Sequence, residues 1–73
     1  QAPNNPVLVL YHQTVNTIDQ RVARGILGKD IAEHAKADAK NCKDMAIAFN
    51  ECANGDYKTD MDADALIAAA MKQ

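Results

Sequence analysis

The chain has 73 residues, and its 8 Lys and Arg against 10 Asp and Glu give a formal net charge of -2. Alanine accounts for 14 residues and Leu, Ile, Val and Phe together for another 14. That composition allows one small helical domain (1–73) with a limited core, whose stability calls for a cross-link, a metal or a partner. The scattered positive charges argue against a nucleic-acid backbone binder, which needs a clustered basic face, and no apolar run approaches the ~20 residues of a membrane span.

Residues 1–5 are polar and read as irregular, and Asn5-Pro6 reads as a helix entry, with Asn as N-cap and Pro in the first turn. Leu8, Tyr11, Val15, Ile18 and Val22 then recur at helical spacing, predicting a first helix over 6–27. The β-branched run VLVLY at 7–11 also fits a short strand. Gly25 and Gly28 bracket the end of this element. Chain start at Gln1 rather than Met suggests a processed product or an excised segment.

Asp30 and Glu33 have capping-box spacing, which predicts a second helix over 31–53. Its apolar stripe is Ala35, Cys42, Met45, Phe49 and Cys52, with Ala39, Ala46 and Ala53 beside it. Asn54-Gly55 is the expected stop. The third helix is expected over 60–72, with Thr59 as its cap and Ala63, Leu66, Ile67, Ala70 and Met71 facing inward. A Thr59→Ala change is then expected to cost about 1 kcal/mol. The fold class is all-α, a small α-hairpin or three-helix arrangement.

Cys42 and Cys52 have nine residues between them. Along one unbroken helix they would stand about 15 Å apart, whereas a disulfide needs Cα atoms within roughly 7 Å. An intact helix therefore leaves each cysteine free, bonded to another chain, or packed as a small apolar residue. A helix break near Asn41–Asp44 would restore a mutual bond. The expectation is no Cys42–Cys52 disulfide, and a cross-linked peptide joining them would overturn it together with the helix over 31–53.

The segment CKDMAIAFNEC (42–52), with Met45 and Phe49 between its cysteines, resembles one half of a twin Cx9C motif of the coiled-coil-helix-coiled-coil-helix family. The resemblance covers at most residues 42–71 and departs from the full motif. The second cysteine pair is missing, and Met61 and Met71 fall near where it would sit. The resemblance implies a helical hairpin, disulfides at Cys42 and Cys52 that join helices, and a small accessory subunit of the mitochondrial intermembrane space. A secreted or periplasmic chain is the alternative location. No cofactor is expected.

Other constellations carry less. Asp60, Asp62 and Asp64 start like a calcium loop, but Ala65 stands where a turn glycine belongs and Met71 where a bidentate Glu belongs. His12 and His34 have no ligand partner at helical spacing, and no C-x2-C or H-x3-H pattern for zinc is present. The chain has no Ser. Catalytic and metal-ligating residues are expected to be none. The expected role is a non-enzymatic structural or interaction protein, an accessory subunit docked on other protein subunits. The rival is a self-contained exported binding module. Val7, Val9, Leu10 and Tyr11 are the expected contact surface, because the first helix carries more apolar side chains than one neighbour can cover.

Overall fold

The computed structural model describes residues 5–52 and 55–72; the expectations for residues 1–4, Ala53 and Asn54 lie outside these. Asn5 opens α1 (Pro6–Ala23) by accepting the Val7 N–H at 2.9 Å, so residues 7–11 are helix and not strand. The helix closes four residues earlier than the expected 27. Gly25 has φ +77°, its N–H donates to the Val22 carbonyl, and the Ile26 N–H donates to the Arg21 carbonyl. Glycine adopts this left-handed geometry at little cost, and the two bonds absorb carbonyls the helix leaves open.

Helix α2 (Lys29–Phe49) starts at Gly28 with no side-chain cap. Asp30 lies inside its first turn, where a carboxylate favours the helix dipole, so the Asp30–Glu33 capping box is not formed. The helix stops at Asn50, whose φ of 64° and ψ of 17° are left-handed. Asn tolerates that conformation better than most side chains. The stop thus precedes the expected one at Asn54-Gly55 by four residues.

The expected third helix is two pieces, α3 (Tyr57–Asp60) and α4 (Ala63–Met71). Each has its own aspartate cap, and Thr59 is neither. Asp56 accepts the N–H groups of Lys58 and Thr59, and the Thr59 hydroxyl donates to its second oxygen at 2.9 Å. The Thr59 hydroxyl, followed by those backbone donors, holds the Asp56 carboxyl below its usual value. Asp62 accepts the Asp64 N–H at 2.9 Å and starts α4.

The three longer helices pack through alanines. Ala32, Ala35, Ala39, Cys42 and Ala46 form a buried seam on α2 at alternating three- and four-residue spacing. This seam replaces the expected stripe: Phe49 is 72% exposed and Met45 is also on the surface. Short side chains let α1 and α4 approach the α2 backbone closely. One core cluster joins Ile18 of α1 to Ala32, Ala35 and Ala39 of α2 and to Leu66, Ile67 and Ala70 of α4. A second cluster joins Val7, Cys42, Ala46, Cys52 and Met61, and Tyr11 packs against both. On α1 the inward face is Val7, Thr14 and Ile18, so Leu8 is turned out and Val15 is only half-buried. Met71, expected inside, is 65% exposed.

Thr14 is the buried polar residue of α1, and its hydroxyl donates to the Met61 carbonyl at 2.7 Å. That carbonyl sits at the break between α3 and α4, so the bond fastens the break to α1. Two surface ion pairs tie α1 to its neighbours: Arg21–Asp64 at 2.6 Å to α4 and Asp19–Lys36 at 2.7 Å to α2. Exposed pairs of this kind contribute about 0–1 kcal/mol each. The Asp19 carboxylate raises the Lys36 pKa through its hydrogen bond, in keeping with a formed pair.

Two outcomes follow for denaturation experiments. Thr14→Val removes the donor and leaves a buried carbonyl unpaired, and is expected to cost about 1–3 kcal/mol. Asp62→Ala is expected to cost about 1 kcal/mol through the lost α4 cap, and Thr59→Ala less. Equal losses for the last two would contradict the capping assignment.

Candidate functional site

Cys42 lies in the penultimate turn of α2. The left-handed Asn50 reverses the chain directly after Phe49, and Cys52 comes back over the same face of α2. The two Cα atoms are 5.1 Å apart and the two sulfurs are bonded to each other. The expectation of no Cys42–Cys52 disulfide is therefore wrong, and so is the unbroken helix over 31–53 behind it. The break lies at Asn50, beyond the Asn41–Asp44 stretch, and only the last turn before Cys52 had to be lost. The bond closes within one segment; it does not join two helices in the way the twin Cx9C resemblance implies.

Both cysteines are buried. The short helix α3 crosses above them, with the Tyr57 carbonyl oxygen 3.9 Å from the Cys42 sulfur. At the end of α3 the Asp60 carboxylate approaches the pair, and the three ligand-capable atoms lie within 4.8 Å of one another. The Asp60 Oδ2 oxygen is buried and accepts no hydrogen bond from the described residues. An unpaired buried acceptor costs on the order of 1–3 kcal/mol, so its position beside the sulfurs calls for a cause. Beside this cluster opens a cleft of about 380 Å³, walled by Asp38, Asn41 and Met45 of α2 and by Leu66 and Ala69 of α4.

The three aspartates of the D-x-D-x-D run do not converge. Asp60 faces the cysteines, Asp62 caps α4 and Asp64 pairs with Arg21. His12 and His34 are both exposed.

The expected contact residues on α1 divide between two faces. Val7 is buried in the second core cluster, and Leu10 and Tyr11 are partly buried against it. Val9 is 39% exposed and Leu8 37%. Val9 and Leu10 line a shallow groove of about 430 Å³ together with Pro6, Gln13, Tyr57 and Lys58. Sequence reasoning missed a second apolar surface, where Ile26 and Met71, each 65% exposed, flank a groove at the α1–α2 turn. It also missed Asp60 as a neighbour of the cysteines. The spacing of eight residues from Cys52 carried no signal until the helix break was known. No helix among the described residues is long and apolar enough to cross a membrane.

The disulfide closes a short loop, and a loop of this length is worth roughly 2–3 kcal/mol by the loss of unfolded-chain entropy. Reduction is therefore expected to lower the melting temperature by about 10–20 °C, given about 4–8 °C per kcal/mol for a domain of this size. Thermal melts with and without a phosphine reductant check this; unchanged melting would mean that the bond contributes nothing to stability.

Over its whole length, residues 1–73, the chain matches the model of a family described as a family of unknown function, DUF6076. It belongs to that family. No curated protein and no solved structure matches it.

Proposed function

We propose that this member of the family is a non-enzymatic interaction protein, a small accessory subunit that docks on another protein through the first turns of α1. The observation that carries this reading is the groove of Pro6, Val9, Leu10 and Tyr57, which no other described residue covers. Its lining is mostly apolar, and Gln13 and Lys58 add polar groups to it. An apolar centre with a polar rim is the usual plan of a protein–protein contact. The occupant we infer is an apolar side chain or helix face of a partner subunit. The sulfurs of the two cysteines are bonded to each other, which removes them as nucleophiles while the bond persists. The disulfide also supports a location in an oxidising compartment, either the mitochondrial intermembrane space or an exported setting.

A second reading, a self-contained exported binding module, is favoured by the same disulfide. A built-in cross-link supplies part of the stability that a partner would otherwise provide.

The two readings separate on the protein taken from its source. A docked subunit migrates in an assembly well above 7.9 kDa, and Val9→Asp releases it as a helical monomer. Leu10 is avoided because it packs on the core. Asn16→Asp, on an exposed part of α1, leaves the assembly intact. A wild-type chain that sediments as a monomer and melts cooperatively above about 50 °C in the usual mesophile range would establish the self-contained module instead.

A further inference from the structure

We propose that, with its disulfide reduced, the cluster of Cys42, Cys52 and Asp60 is a Zn²⁺ site, opened and closed by thiol–disulfide exchange. Two observations converge on it. The ligand atoms of the three residues already lie within 4.8 Å of one another. In a tetrahedral zinc site with bonds of about 2.3 Å to sulfur and 2.0–2.2 Å to oxygen, ligand atoms stand roughly 3.5–3.8 Å apart, so a small separation of the sulfurs suffices. The Asp60 Oδ2 oxygen is buried and has no hydrogen-bond partner among the described residues while the sulfurs are bonded to each other. A disulfide offers it neither a proton nor a charge, whereas a metal ion satisfies it directly.

The surroundings fit a cation. The Asp38 carboxylate faces the same cleft, and the cleft gives a metal ion and a fourth, water ligand a way in. The donor set selects the ion. Two thiolates exclude calcium and magnesium, which take oxygen ligands, and a carboxylate is a poor partner for soft monovalent copper. Zinc accepts both donor types.

The chemistry balances as follows. A dithiol reductant gives two electrons and two protons to the Cys42–Cys52 bond, which breaks to two thiols, and the reductant becomes a disulfide. Zn²⁺ then displaces the two thiol protons to solvent, binding both sulfurs and the Asp60 carboxylate. Oxidation of the thiolates by a disulfide of the same class reverses both steps and expels the metal. The cross-link between α2 and the segment before α3 is then kept in both states, by a covalent bond in one and by the metal in the other.

The test uses the full chain reduced with a phosphine under anaerobic conditions, with Co²⁺ as the spectroscopic probe and Zn²⁺ as its competitor. One equivalent of Co²⁺ is expected to produce tetrahedral visible bands and a sulfur-to-cobalt charge-transfer band, and Zn²⁺ should abolish both. Zn²⁺ should raise the melting temperature of the reduced protein and leave that of the oxidised protein unchanged. Asp60→Asn keeps both cysteines and nearly the same shape, and is expected to weaken Zn²⁺ binding at least about tenfold, the lower range for disturbed metal-site partners. Circular dichroism of that variant confirms its fold. Equal Zn²⁺ affinity of Asp60→Asn and wild type, equal binding by oxidised and reduced protein, or one metal shared between two chains would each overturn the proposal. These readouts do not involve the Val9 groove, so the docking reading stands or falls separately.

Discussion

The chain reversal at Asn50, fastened by the bond between Cys42 and Cys52, is the constraint on which the second half of the molecule depends. Without it, α2 would continue past Phe49 and carry Cys52 away from the core. With it, the segment before α3 lies back along α2, and α3 is held above the sulfurs. Met61 is then delivered to the interior, fully buried, where its carbonyl meets the Thr14 hydroxyl of α1. The cross-link acts mostly on the unfolded chain, by lowering its entropy. Thr14 and the Ala seam act on the folded one.

Local signals in the sequence were reliable where one side chain decides the geometry. Asn5-Pro6 capped α1 as its chemistry requires, and the all-α class followed from residue spacing. The reading failed where two signals competed. Asp30-Glu33 has the spacing of a capping box, yet the helix entered two residues earlier at Gly28. The apolar spacing through Ala46, Phe49 and Cys52 suits a continuous helix, but a covalent bond and a left-handed Asn50 outweigh one further turn of helix. Thr59 has the right residue type for a cap, and Asp56 took the role with a stronger, ionised acceptor. The site was harder to read than the fold, because Asp60 reaches the cysteines only through that reversal.

The surface divides into places where the core is complete and places where it is not. Phe49, Ile26 and Met71 are large apolar groups on the outside, while the interior of α2 is nearly all alanine. Large side chains were thus placed where they add little to folding and much to the apolar character of the surface. The first turns of α1 share this property through Leu8 and Val9. They differ in having a shaped groove with Tyr57 and Lys58 beside them.

The alanine seam has one more consequence, concerning tolerance to change. In most cores the damaging substitutions remove atoms and leave a void. Here Ala35 and Ala39 have no accessible surface and little to lose by truncation. The hazard runs the other way: the two added methyl groups of an Ala to Val change have to push whole helices apart. Drift at these positions is therefore confined to the smallest residues, and glycine, which would fit, weakens the helix it sits in. The middle of α2 is locked to one residue type by geometry alone, with no chemistry required of it.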